Sequence, residues 1–265
     1  MTPITVGVVI PTYQRVEQTV AAVDSALAQT VAPAQIVVVD DGSDDELVNV
    51  LAEQLKLRKV ELLRQKHTAH PGRVRDAGIR RLETSHIAFL DSDDVWYPTK
   101  LERQVALAAE GHRAIFTGYD SVAHAGGERV SRWVPTKGEI GSRELARSNI
   151  ICNSSVLVAR ELLDKIGGLP TSYAVRGLED YAAWFRVSHF ENWIGVGEPL
   201  LAYLDDASHS IRSTVNCLIP SELLLALDTQ SWLRNSGKNP WQFRLGSFAT
   251  RMAIQNWSRS HSPKF

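Results

Sequence analysis

Short apolar runs and amphipathic stretches take turns along the first half of the chain, a pattern of alternating strands and helices. Val6 to Ile10 is an uninterrupted apolar run ended by Pro11, so a buried strand is expected there. Val20, Val23, Ala26 and Leu27 then recur at helical spacing, which predicts a helix over 16–29. Residues 35–39 read as a second buried strand, stopped by Asp40, Asp41, Gly42 and Ser43, and 45–57 as a second helix. A strand at 60–63, a helix at 72–83 and a strand at 86–90 continue the alternation. Strands without polar interruption are covered on both faces, so the expected class is α/β, a mostly parallel sheet between helical layers. Right-handed crossovers would bring the strand C-termini to one edge, gathering Pro11, Thr12, Tyr13, Asp40, Asp41 and residues 91–94. Open α/β sheets bind ligands at that edge.

The second half is less regular. Strands are expected at 114–117, 129–134 and 155–158, with helices at 142–147, 161–166 and 178–190. Gly126 and Gly127 mark a turn, and Gly167, Gly168 and Pro170 break the chain before the last of these helices. Past residue 210, helices are expected at 223–227 and 243–257.

Composition narrows the class. A chain of 265 residues can form one large domain or a domain with an extension. Hydrophobic residues at 44% and charged residues at 22% are ordinary for a globular protein, and a net charge of −1 offers no basic field for nucleic acid. No apolar run approaches the roughly 20 residues that span a bilayer. The first residues lack the basic region and long apolar core of a signal peptide, and Cys152 and Cys217 lack metal-ligand spacing. A cytoplasmic location is therefore expected. Trp232, Arg234, Trp241, Arg244, Arg251 and Trp257 give the C-terminal segment a basic, aromatic character that suits contact with a membrane surface; helix packing or a homodimer contact competes with that reading.

The densest candidate chemistry is Asp91, Ser92, Asp93 and Asp94, between an expected strand and a helix opening near Pro98. Clustered carboxylates repel unless a cation or donor hydrogens hold them, so a divalent metal is a natural partner. The competing reading is an acidic turn in which Asp94 caps the next helix.

Four ordered motifs carry a family resemblance. The run from Val8 to Arg15 followed by Ile36 to Ser43 resembles the nucleotide-binding start of family 2 glycosyltransferases. Residues 73–78 resemble that family's Ala-Arg-Asn-x-Gly segment, with Asp76 in place of the usual Asn. Residues 89–104 are similar to its Asp-x-Asp metal signature, and 177–186 to its downstream Glu-Asp motif. The resemblance implies a GT-A fold over 1–210, with a nucleotide-sugar half at 1–118 and an acceptor half at 119–210; the helical pattern past residue 210 suggests a helical extension at 211–265. It also implies an inverting enzyme that moves a sugar from a nucleoside-diphosphate donor, UDP or dTDP, to a hydroxyl of a glycan, lipid-linked or small-molecule acceptor.

By the same resemblance, Asp93 coordinates Mn2+ or Mg2+, while Asp91, beside Ser92, orients the ribose or the metal's water shell. Asp41 accepts the imide N–H of uracil or thymine, Tyr13 stacks on the base, and Pro11 bounds its pocket. Asp40 shares that site or braces the turn. Arg15 belongs to the donor side. Arg75 approaches the diphosphate or orients an acidic neighbour, with an exposed ion pair as the alternative. Asp180 is the implied base, with Glu179 beside it. Trp184 walls the sugar or acceptor pocket, or is a core residue. Relatives carry Tyr-Arg-x-His where this chain has Tyr203, Leu204, Asp205 and Asp206; His209 follows as a candidate metal or phosphate contact, with a surface histidine as the alternative. The chain lacks a Gln-x-x-Arg-Trp motif and spanning segments, so single-sugar transfer is expected rather than processive synthesis. A nucleotidyltransferase acting on sugar phosphates is the rival enzyme class, although the glycine-rich phosphate loop is missing after the first strand. A catalytically inactive nucleotide-sugar-binding module is the non-enzymatic rival.

Overall fold

In the computed structural model, residues 3–123, 127–136, 138–204 and 221–237 are described. The alternation of the first half is realised as β1 Val6–Thr12, α1 Val16–Leu27, β2 Gln35–Asp40, α2 Asp45–Leu57, β3 Glu61–Arg64, α3 Pro71–Arg81 and β4 His86–Phe89. There follow β5 Val95–Trp96, α4 Lys100–Ala109, β6 Ala114–Val122, β7 Arg129–Trp133, β8 Glu139–Ile140 and α5 Ser142–Leu145. A 3-10 turn Asn153–Ser155 leads into β9 Leu157–Ala159 and α6 Arg160–Ile166; a second, Tyr173–Val175, precedes α7 Glu179–Val187, β10 Trp193–Leu204 and α8 Ser221–Asn235.

The ten strands among the described residues form one sheet in the order β3-β2-β1-β4-β9-β6-β10-β5, with β7 on β6 and β8 on β10. The long ladders β1–β2, β1–β4, β2–β3 and β6–β10 are parallel, whereas β9 runs antiparallel to both β4 and β6. Strand alternation sends Val9, Val37, Val39 and Phe89 to one face, among buried residues of α3, α6 and α7. Val8, Ile10, Val38 and Leu90 face the other way, against α1, α2 and α4. Both faces are covered, which is why the strands read as continuous apolar runs.

One expectation needs correction, and one strand went unread. Pro11 does not end β1, which continues in register with β2 through Pro11↔Val39 and Thr12↔Asp40. Pairing with β4 stops at Val9, so beyond it β1 has a ladder on one side only, where the missing N–H of proline is tolerated. The 12-residue strand β10 is not legible as a strand because its register shifts twice, around Pro199, and breaks the period-two pattern. Among the described residues, no helix is long and apolar enough to cross a membrane. The helix α8 docks on α7: Arg186 donates to Asp228 Oδ2 at 2.5 Å, and its guanidinium lies over the Trp232 ring.

Candidate active site

The acidic loop leaves the end of β4 and is fixed from three directions. The Asp91 N–H donates to Ser154 Oγ at 3.0 Å, and Asp91 Oδ1 accepts from Arg75 Nη2 at 2.5 Å and Asn153 Nδ2 at 2.9 Å. Arg75 reaches on with Nη1 to Glu179 Oε1 at 2.8 Å, and Glu179 Oε2 accepts from the Gly177 N–H at 2.6 Å. One buried guanidinium thus ties the loop after β4 to the start of α7. Gly72 permits this approach, since a Cβ there would sit 2.4 Å from the Pro170 carbonyl oxygen and 3.0 Å from Glu179 Cγ. Burial works against the charge on Arg75, but Asp91 and Glu179 outweigh it and raise its pKa.

Asp93 is half-buried and paired with Arg15. Burial, then the neighbouring Asp91, push its pKa up, and Arg15 opposes them. Asp94 is buried outright, accepting from Ser154 Oγ and from the Leu204 N–H at 3.0 Å. Burial and the charges on Asp93 and Asp91 hold its carboxyl well above the usual carboxylate range. Its expected role as a helix cap is corrected: α4 starts only at Lys100, and Asp94 instead joins the loop to the Asn153–Ser155 turn and the end of β10. Ser92 is buried within the same loop.

On the strand edge beside it, Asp40 accepts from the Gly42 N–H at 3.2 Å, the Ser43 N–H and the Ser43 hydroxyl, and is wholly buried. It braces the turn, the structural alternative for this residue. Asp41 is a loop organiser: its Oδ1 accepts from Gln65 Nε2, the Thr68 N–H and the Thr68 hydroxyl at 2.8–3.0 Å, and its Oδ2 from the Ala69 N–H at 2.9 Å. Tyr13 is exposed and stacks on His67 with ring centroids 4.3 Å apart. The turn geometry needs Gly42, at φ 78°, where a Cβ would lie 2.6 Å from the His67 nitrogen. Pro11 is half-buried at the end of β1.

Asp180 lies half-buried in the first turn of α7, with Oδ1 accepting from the Tyr181 N–H at 2.7 Å. Trp184, one turn further, is corrected to a core residue: it is fully buried between Phe89 and Trp193, each with ring centroids 5.3 Å away. His209, with Asp206, Trp241, Arg244, Arg251 and Trp257, lies outside the described residues. Asn153 and Ser154 escaped the sequence reading. Their only sequence signal is a polar Asn-Ser-Ser triplet ahead of an apolar run, and their partners lie about 60 residues upstream.

Whether these residues suit a divalent cation follows from their spare capacity. Among the described residues, no group of three His, Cys, Asp or Glu side chains is placed to hold an ion alone. Both Asp94 oxygens are taken, which leaves Asp93 and the second oxygen of Asp91. One or two carboxylates completed by phosphate oxygens is the donor set that magnesium-like ions take, so the residues fit a cation that arrives with a diphosphate. Buried Arg75 Nε and Asn153 Oδ1 also lack a partner among the described residues, as polar groups beside a ligand site do.

The profile of glycosyl transferase family 2 matches residues 7–167. An uncharacterized glycosyltransferase of Rickettsia felis is 34% identical over 107 residues, covering 40% of this chain but 18% of that protein. The Escherichia coli protein WfaP, a UDP-Glc:alpha-D-GlcNAc-diphosphoundecaprenol beta-1,3-glucosyltransferase, is 25% identical over 183 residues, covering 69% of each chain. In solved structures the fold is similar to Staphylococcus aureus TarS 1-349 in complex with UDP-GlcNAc, with a TM-score of 0.71 at 16% identity, covering 97% of this chain and 74% of that one. The chain spans under a fifth of the length of its Rickettsia relative and about two-thirds of WfaP. With its motifs, its sheet and more than half of its length matched, this chain belongs to glycosyl transferase family 2.

Proposed function

We propose that the chain moves a single sugar, with inversion, from a uridine or thymidine diphosphate sugar to a hydroxyl of a glycan, lipid-linked or small-molecule acceptor. The observation that carries this reading is the Arg75 bridge, which sets Asp91 on the donor loop against Glu179, next to Asp180. Two sites that must meet at one anomeric carbon are thereby joined through one rigid side chain. Residues up to 118 form the donor half and 119–210 the acceptor half.

Asp180 takes the proton of the attacking hydroxyl, and Glu179, held by Arg75, keeps the start of α7 in place. Asp93, with Asp91 alongside, holds Mn2+ or Mg2+ against the diphosphate, and the cation offsets charge on that leaving group. Asp41 accepts an imide N–H at Oδ2, beside the Ala69 N–H and His67, and Tyr13 offers a ring for the base to stack on. The uridine nucleotide bound by TarS supports the base assignment, and the diphosphoundecaprenol substrate in the name of WfaP supports a lipid-linked acceptor. A cytoplasmic protein touching the inner face of a membrane, alone or as a homodimer, fits such an acceptor; liposome co-sedimentation tests the contact.

The deciding experiment screens nucleotide sugars for transfer and hydrolysis with Mn2+, Mg2+ or chelator. Transfer should need a cation and be lost in Asp93→Ala. Asp180→Asn should keep donor binding while transfer falls by about 100-fold or more, the usual weight of a general base. The reading fails if no nucleotide sugar binds, or if binding ignores both cation and Asp93→Ala. Release of pyrophosphate instead of nucleoside diphosphate would assign a nucleotidyltransferase.

A further inference from the structure

The side chain facing Asp93 is that of Arg15, and the backbone is built to put it there. Gln14 has a φ of 57°, a left-handed conformation uncommon outside glycine, and its N–H donates to Ser43 Oγ at 2.8 Å. That twist, at the end of β1, hands Arg15 to the N-terminus of α1, where its carbonyl accepts the first helical bond from the Thr19 N–H at 3.1 Å. The guanidinium then pairs across the sheet edge with Asp93 Oδ2, both side chains 27% exposed. The second arginine of the loop, Arg75, is already shared between Asp91 and Glu179. Asp93 therefore has Arg15 as its counter-charge within a loop of three carboxylates.

We infer that Arg15 is a resident counter-cation that makes divalent cation binding at Asp93 conditional on a nucleoside diphosphate. This rests on the donor site proposed above. A cation arriving alone must displace Arg15 and gains one or two carboxylates in exchange. A diphosphate changes both sides of that exchange. Its oxygens can take the guanidinium in a bidentate pair, and they add the ligands the cation still needs. Arg15 thereby moves from carboxylate to phosphate without losing its charge partner. Asp93 is released for the cation only when the diphosphate is present. Coupling is reciprocal, so the cation must tighten the nucleotide by the same factor. Arg15 contributes to specificity as well: a nucleoside monophosphate offers fewer oxygens to serve both cations.

The test measures free Mn2+ by electron paramagnetic resonance in titrations of the whole chain, with and without UDP. In the unaltered protein, Mn2+ alone should bind weakly, and UDP should tighten it about tenfold or more, within the usual range of such couplings. Arg15→Met should bind Mn2+ alone several-fold more tightly, show less tightening by UDP, and lose several-fold in affinity for UDP in chelator. Arg15→Lys keeps the charge and should keep the coupling. Arg15→Gln repeats the test if the Met variant fails to fold. Unchanged Mn2+ affinity and unchanged coupling in Arg15→Met or Arg15→Gln would overturn the inference. So would tight Mn2+ binding to the unaltered protein without UDP, although the donor-site reading would stand. If Mn2+ and UDP never bind together, the donor-site reading falls first.

Discussion

Replacing Arg75 by Met removes a charge that ties the loop after β4 to the start of α7, and the structure sets the size of the effect. Arg75 and Glu179 have side chains only 8% and 4% exposed, while Asp91 is 26% exposed and keeps Asn153 as a donor. The Glu179 pair is the costly one to break, because its carboxylate would stay buried with the Gly177 N–H as its remaining described donor. Breaking a buried pair from one side costs about 3–5 kcal/mol. The Asp91 pair adds little, since solvent screens that carboxylate. A loss of about 4 kcal/mol corresponds to a fall of roughly 8–16 °C in Tm for a chain of this size. The partner variant Glu179→Gln removes the stranded charge, so Arg75→Met combined with Glu179→Gln should recover about 1–2 kcal/mol relative to additivity. Circular dichroism melts of the two single variants and the double variant complete the cycle. A loss under about 1 kcal/mol in Arg75→Met, or strict additivity in the cycle, would refute the claim that Arg75 carries a buried link.

Lys100 tests burial from the other direction. It is wholly buried, with Gln104 Oε1 at 2.8 Å and the Trp96 ring at 4.0 Å, and burial lowers its pKa well below the usual ammonium range. The unfolded chain then binds the extra proton, so stability should rise with pH from the lowered folded pKa toward about 10.4, the ordinary lysine value. Urea denaturation should show that the advantage of Lys100→Met is full at and below the lowered folded pKa and shrinks as pH rises toward the ordinary lysine value; parallel curves would exclude a discharged lysine. Gly72→Ala should cost about 1–3 kcal/mol because its Cβ meets the backbone at Pro170, whereas Gly197→Ala, with nothing within 4 Å, should stay within about 0.5 kcal/mol. Equal melting temperatures for these two variants would show that α3 has room to move away from Pro170.

How far the sequence could be read depended on where the partners of each residue lie. In β1, β2 and β4, burial on both faces writes itself as apolar runs, so strands and the acids that end them were legible together. In β10, Gly197 and Pro199 sit among register shifts, and the ladder to β6 exists only once the fold has formed. Roles were harder to read than positions. Asp94 is the same residue type as Asp93, yet one is sealed by Ser154 and Leu204 while the other faces Arg15. Trp184 has the amphipathic spacing of a pocket wall and the burial of a core residue. Residue type does not separate such cases; contacts formed across 60 to 110 positions do.

The clamping of Asp41 and Asp91 bears on the entropy of ligand capture at the proposed donor site. Each carboxylate is held in one rotamer by donors from distant segments: Gln65, Thr68 and Ala69 on the first, Arg75 and Asn153 on the second. Their ordering is complete when the chain folds. Immobilising a rotamer-rich side chain during association costs about 0.5–1.5 kcal/mol, and these two would no longer incur it. Tyr13, by contrast, is exposed at the tip of β1, and a base stacking on it would still have to fix its ring. A nucleotide at the proposed donor site would meet two acidic side chains whose positions are already set.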